Sequence, residues 1–217
     1  MERVVLQQRA AGLLRQFKIV AILGPRQAGK VTLARQIAAA TTDFSPERNF
    51  FDQEDSVHLE RLADRPELPA RFLIVGSASR NLLQPGSETR AGRIAFLEVT
   101  PFALGETGTI EFEKLRVRGG FPLSFLAATD AGSVPWREFH IRTFLERDLP
   151  ALGIQIPAGA LRRFWMMLAH CHAQVFNGSD LGRSLSVADT TVRRYLDVLV
   201  GTLVVRRLTP WFENIGK

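Results

Sequence analysis

A seven-residue turn, Gly24-Pro25-Arg26-Gln27-Ala28-Gly29-Lys30, constrains this chain more than any other feature. Before it runs Phe17-Lys18-Ile19-Val20-Ala21-Ile22-Leu23, a short segment rich in β-branched residues that reads as a buried strand. After it, Leu33, Ala34 and Ile37 recur on one helical face from Lys30 to about residue 40. A strand, a glycine-bounded turn and a helix in that order can cradle an anion. The glycines let the backbone curl so that its N–H groups point inward. The helix N-terminus adds its dipole, and Lys30 supplies a mobile positive charge for the outer phosphates. The turn matches the first seven positions of the phosphate-loop pattern. Gly24, Pro25, Arg26, Gln27, Ala28, Gly29, Lys30, Val31 and Thr32 are therefore the expected nucleotide contacts. The bland alternative, two turn glycines and a surface lysine, is disfavoured by the strand and helix on either side.

The eighth position departs from the pattern. It calls for Ser or Thr, whose hydroxyl holds Mg²⁺, and this chain has Val31. Thr32 follows, but one residue along a helix is a rotation of about 100°, so its hydroxyl faces elsewhere. Losing one charge-assisted contact costs roughly 1.5–3 kcal/mol. Mg²⁺ is thus expected to bind weakly or not at all.

Further strands are predicted near Asn49–Asp52, Arg71–Gly76 and Arg93–Val99, with a brief helix over residues 56–63. An amphipathic helix is predicted over 4–16. Strands interspersed with helices indicate an α/β fold with a mainly parallel sheet. Past about residue 130 the pattern turns helical with bulky apolar faces over 135–147 and 159–173. Residues 1–130 therefore read as a nucleotide-binding domain and 131–217 as a helical linker plus helix-turn-helix, divided by the Thr, Asp, Gly and Ser cluster at Ala128–Ser133. The net charge of +6 permits contact with phosphates or nucleic acid without requiring it. The single cysteine, Cys171, excludes an internal disulfide and a thiolate metal cluster. No long apolar stretch predicts a leader or a membrane span, so a cytoplasmic location is the simplest expectation.

Several segments together resemble a family of prokaryotic AAA-type ATPases with a P-loop domain, a winged helix and a C-terminal nuclease-like domain, DUF4143. They are Gly24–Arg35, Phe51–Asp55, Arg71–Leu83, Ser87–Arg93, Arg118–Pro122, Trp136–Pro150, Asp180–Leu208 and the tail from Pro210 to Lys217. The resemblance implies a P-loop NTPase sheet followed by an all-α, winged-helix region. It also implies a polar sensor at Ser77 and an arginine finger or sensor at Arg93. The alternatives are a helix cap for Ser77 and a strand-edge charge for Arg93. Besides Val31, the chain lacks the family's apolar strand ending in Asp-Glu (Walker B) and its C-terminal domain. Residues 53–70 contain no run of four apolar residues. The expected sheet is therefore contracted to about four strands, with edges open to pairing with a second copy. Asp52 and Asp55 are the nearby carboxylates, but neither ends a long apolar strand.

Residues 178–208 carry a helix-turn-helix pattern: a first helix at Ser179–Leu185, a turn at Ser186–Ala188 and a second helix at Asp189–Val200. A wing strand is predicted at Leu203–Leu208. Val192, Leu196 and Leu199 face inward in this pattern. Thr190, Thr191, Arg193 and Arg194 face outward, where they could meet DNA. Asp189 places a negative charge where a phosphate would lie, which favours a packing role for the module. Three readings stand at this point. The first is an ATP-binding protein resembling an ATPase with hydrolysis impaired or lost. The second is a DNA- or protein-binding module whose phosphate loop is scaffold, and the third a remnant with no selected activity.

Overall fold

The computed structural model describes residues 2–40, 50–52, 72–76 and 94–209. Helix α1 (Val4–Gln16) leads into strand β1 (Ile19–Leu23), the glycine turn and helix α2 (Lys30–Ala39). Among the described residues, strands β2 (Phe50–Asp52), β3 (Phe72–Gly76) and β4 (Ile94–Glu98) join β1 in a four-stranded parallel sheet in the order β2-β3-β1-β4. In register, Leu23 lies level with Gly76 and Glu98, and Asp52 with Val75. Every residue of β1 is buried, as expected of a parallel strand covered on both faces. One face packs Val20, Ile22, Leu73, Val75 and Leu97 against Leu14 of α1 and Leu33 and Ile37 of α2. On the other face Ile19, Ala21, Leu23 and Ile74 meet Phe96 and, from far along the chain, Leu203. Among the described residues β2 lies directly beside β3. The helix expected over 56–63 lies outside the described residues.

Residues 104–125, where the sequence pattern predicts no element, form four short helices. They are α3 (Leu104–Thr107), a 3₁₀ turn (Thr109–Glu111), α4 (Phe112–Arg118) and α5 (Pro122–Phe125). The expected boundary cluster at Ala128–Ser133 is the start of helix α6 (Asp130–Thr143). Thr129 accepts from the Gly132 amide at 3.0 Å as its N-cap, and Ser133 is fully buried. The chain then passes through a π-helical turn (Phe144–Asp148) into α7 (Leu149–Ala151), α8 (Ala158–His170), α9 (Gly178–Leu185) and α10 (Asp189–Gly201). Phe144, Leu161, Phe164, Leu181, Val192, Tyr195, Leu196 and Leu199 build their common core.

Helices α9 and α10 form close to the expected positions, but the wing strand is not formed. Leu203 takes a positive φ of 60°, and the amides of Val204 and Val205 both donate to the Leu199 carbonyl, at 3.0 and 3.1 Å. The apolar run is consumed by wrapping the end of α10: Val204 and Val205 join the helical core and Leu203 reaches the sheet. Burial, not strand pairing, satisfies it. Among the described residues no helix is long and apolar enough to cross a membrane.

Candidate phosphate-binding site

The glycine turn leaves the carboxyl end of β1 between β3 and β4, where open parallel sheets bind ligands. Its first residue has no room for a side chain. A Cβ on Gly24 would lie 2.1 Å from the Val99 carbonyl oxygen, and Val99 is itself anchored by donating to the Leu23 carbonyl at 2.7 Å. Farther on, Gln27 and Gly29 both take left-handed backbone angles, with φ of 62° and 84°. Backbone turns of this kind direct successive N–H groups into a concavity that suits an anion. Gly29 is the N-cap of α2 and offers no capping side chain, so the first helical amides stay unsatisfied. The N–H groups of Arg26, Gln27, Gly29, Val31 and Thr32 find no acceptor among the described residues.

Lys30 is only 6% exposed. A buried ammonium needs acceptors, and its Nζ donates to the carbonyls of Gly24 at 3.0 Å and Pro25 at 2.7 Å. The charge is therefore held over the turn and is not a surface charge.

Two contacts fix the turn from outside. Arg3, 5% exposed, donates to the Ala28 carbonyl at 3.2 Å and the Thr100 carbonyl at 2.8 Å. It also grips Glu106 with two bonds of 2.7 and 2.8 Å and covers the Phe102 ring. A trans peptide points its C=O and N–H in opposite directions, so holding the Ala28 carbonyl sets the direction of the Gly29 amide. On the second side Arg26 forms an ion pair with Asp148, a buried carboxylate at the end of the π-helical turn. Pro122 lies near the turn as well: a Cβ added to Gly29 would be 3.5 Å from its Cγ. Sequence reasoning missed Arg3 altogether.

Beside Pro122, the rings of Phe121, Trp136 and His140 cluster. Trp136 and His140 are stacked at 4.9 Å and 9°, and Phe121 lies 4.7 Å from His140. Burial lowers the His140 pKa below its usual value, and the charge of Asp148 opposes that shift. In the window between the lowered value and about 6.5, the unfolded chain then binds more protons than the folded one. Stability should be lost as pH falls below about 6.5. Thermal melts of the native chain and His140→Gln between pH 7.5 and 5 check this: the native melting temperature should fall more steeply with acid than the variant's.

The remaining expected site residues are dispersed. Val31, 40% exposed, has no side-chain oxygen to offer a cation, and Thr32 is exposed on the next position of α2. This donor chemistry does not fit magnesium at the usual place. Asp52 ends β2 level with Val75. Ser77, Arg93 and Asp55 lie outside the described residues. On α10, Thr190, Arg193 and Arg194 are exposed and Thr191 is half-buried. Arg193 is tied to Asp189 at 2.8 Å, and Arg207 to Asp197 at 3.4 Å. Arg194 has no ion-pair partner among the described residues. It lines a shallow groove with Ile154, Thr190, Arg193, Asp197 and Val198.

A family model for a domain of unknown function, DUF8612, matches residues 109–217. The chain belongs to the DUF8612 family. Uncharacterized proteins of Mycobacterium tuberculosis and Mycobacterium bovis are each 42% identical to it over 248 positions, covering 100% of this chain and 55% of theirs. This DUF8612 chain thus spans about half the length of the curated relatives it matches. With only 217 residues contributed here, the aligned span holds about 31 positions that this chain lacks.

The match overturns the resemblance to ATPases with a DUF4143 domain, because Arg118–Pro122, Trp136–Pro150 and Asp180–Leu208 fall within the DUF8612 region. Those segments are constrained by local geometry that any family can share. Gly119 has a φ of 71°, and a Cβ on Gly120 would lie 2.2 Å from the Phe102 carbonyl oxygen.

Proposed function

We propose that this chain binds the polyphosphate of a nucleotide, with ATP the leading candidate, in the turn between β1 and α2, and that metal-assisted hydrolysis is impaired. The single observation that carries the reading is the set of acceptor-free amides at Arg26, Gln27, Gly29, Val31 and Thr32, with the Lys30 ammonium held over the same turn. Unsatisfied amides and a positive charge at a helix start are the elements a phosphate needs. Packing of a P-loop type explains the two positions where a side chain is excluded or strained, Gly24 and Gly29. Impaired hydrolysis follows from Val31, since the side-chain hydroxyl that would hold magnesium is missing. Lys30 and the amides would hold phosphate charge in the ground state, and Arg3 would keep the cradle in shape.

Titration calorimetry with ATP, with and without Mg²⁺, tests this. Binding should survive chelation of the metal, Mg²⁺ should change affinity by less than about tenfold, the loss expected of one charge-assisted contact, and turnover should stay at background. Strong Mg²⁺-dependent binding with turnover would restore the enzyme reading.

One observation favours a second reading. Arg194 and Thr190 are exposed together on α10, the second helix of the helix-turn-helix, where a DNA reader places its contacts. Salt-dependent DNA binding weakened by Arg194→Ala, together with no nucleotide binding, would select a DNA-binding module with a vestigial loop. Against it stand the Asp189–Arg193 pair and the packing of Leu203 onto the sheet, which fit a structural role.

A further inference from the structure

We propose that the ring cluster Phe121–Trp136–His140 is the platform on which the base of the bound nucleotide stacks. The proposal rests on the phosphate-binding reading above and adds a ligand class to it: a nucleoside polyphosphate, in place of a bare phosphate or a phosphorylated aliphatic molecule.

The cluster adjoins the cradle. Phe121 immediately precedes Pro122, whose Cγ is the nearest atom to the place a Gly29 side chain would occupy, at 3.5 Å. Trp136 and His140 are one turn apart on α6 and present parallel rings at 4.9 Å. Phe121 sits against both, at 5.7 and 4.7 Å. From the other direction Asp148, beyond the end of the helix that carries Trp136 and His140, pairs with Arg26 of the turn. The turn thus lies close to Pro122, the neighbour of Phe121, and is tied through Arg26 to Asp148, eight residues beyond His140.

Exposure separates this cluster from the core aromatics. Phe125, Phe144 and Phe164 are 3%, 5% and 0% exposed, whereas Phe121, Trp136 and His140 are all only half-buried. Three flat rings held together yet reached by water, next to a set of free amides, offer a face to another flat ring. Stacking on such rings tolerates any base, because every base has a π-face. Weak discrimination between ATP and GTP follows.

The test compares ATP, GTP and inorganic tripolyphosphate on the full chain, native and with Trp136→Ala or Trp136→Phe, with circular dichroism to establish folding. ATP and GTP should bind the native chain more tightly than tripolyphosphate. Trp136→Ala should weaken both nucleotides by about tenfold and leave tripolyphosphate within about twofold, and Trp136→Phe should keep most of the nucleotide affinity. Equal affinity of the native chain for ATP and tripolyphosphate would overturn the platform and leave the cradle standing. So would an equal loss for both ligands in the Trp136 variants, or loss of folding in both variants, since each marks the cluster as structural. If neither ligand binds the native chain, cradle and platform fall together.

Discussion

Lys30→Ala should lower the affinity for tripolyphosphate and for ATP by at least about tenfold, because one charge-assisted contact to a phosphate contributes roughly 1.5–3 kcal/mol. The ammonium already stands over the turn, bound to the Gly24 and Pro25 carbonyls. A ligand phosphate would therefore meet a charge that is in place and would not have to recruit one from solvent. The substitution also leaves those two carbonyls without this donor, so a stability loss of about 1–3 kcal/mol should accompany it. Lys30→Met keeps the buried stem and separates the two effects. It should recover part of the stability and none of the binding. Calorimetric titration beside thermal melts reads both quantities, and unchanged affinity in folded Lys30→Met would refute the role given to the ammonium.

Gly24→Ala should be the most damaging single substitution for folding. The added methyl would sit 2.1 Å from the Val99 carbonyl oxygen. Neither side can yield easily, because Val99 extends the β1–β4 pairing through its bond to Leu23 and is itself fully buried. Overpacking against a fixed backbone costs about 3 kcal/mol, which in a chain of this size lowers the melting temperature by roughly 6–12 °C. Gly29→Ala is the informative contrast. Its methyl would meet only Pro122 at 3.5 Å, so the cost is confined to the left-handed backbone, about 1–2 kcal/mol. A melting temperature for Gly24→Ala at or above that of Gly29→Ala would contradict the packing described at the mouth of the turn.

Local periodicity explains what could be read from the sequence. The buried run Ile19–Leu23, the helical face Leu33–Ala34–Ile37 and the inward set Val192, Leu196 and Leu199 are each encoded within a few residues, and each folds as its pattern dictates. The glycine turn was legible for the same reason. What escaped is what only distance along the chain supplies. Arg3 braces the turn by reaching Glu106 and Thr100, and Arg26 finds Asp148 at the end of the π-helical turn. The short helices of 104–125 are below the length at which a helical period can be recognised. The wing misled because Leu203–Leu208 has strand-like composition, while its apolar residues are claimed by the helical core and the sheet. The family likeness misled similarly: glycine turns and helix faces such as Arg118–Pro122 report what a backbone needs and not descent.

The account depends on whether the turn's free amides receive phosphate. Backbone amide chemical shifts of the isotopically labelled chain, followed during a tripolyphosphate titration, address this directly. The amides of Arg26, Gln27, Gly29, Val31 and Thr32 should move together along one saturating curve, while those of Thr190, Arg193 and Arg194 stay in place. Stationary amides in the turn at saturating ligand, or shifts confined to α10, would contradict it.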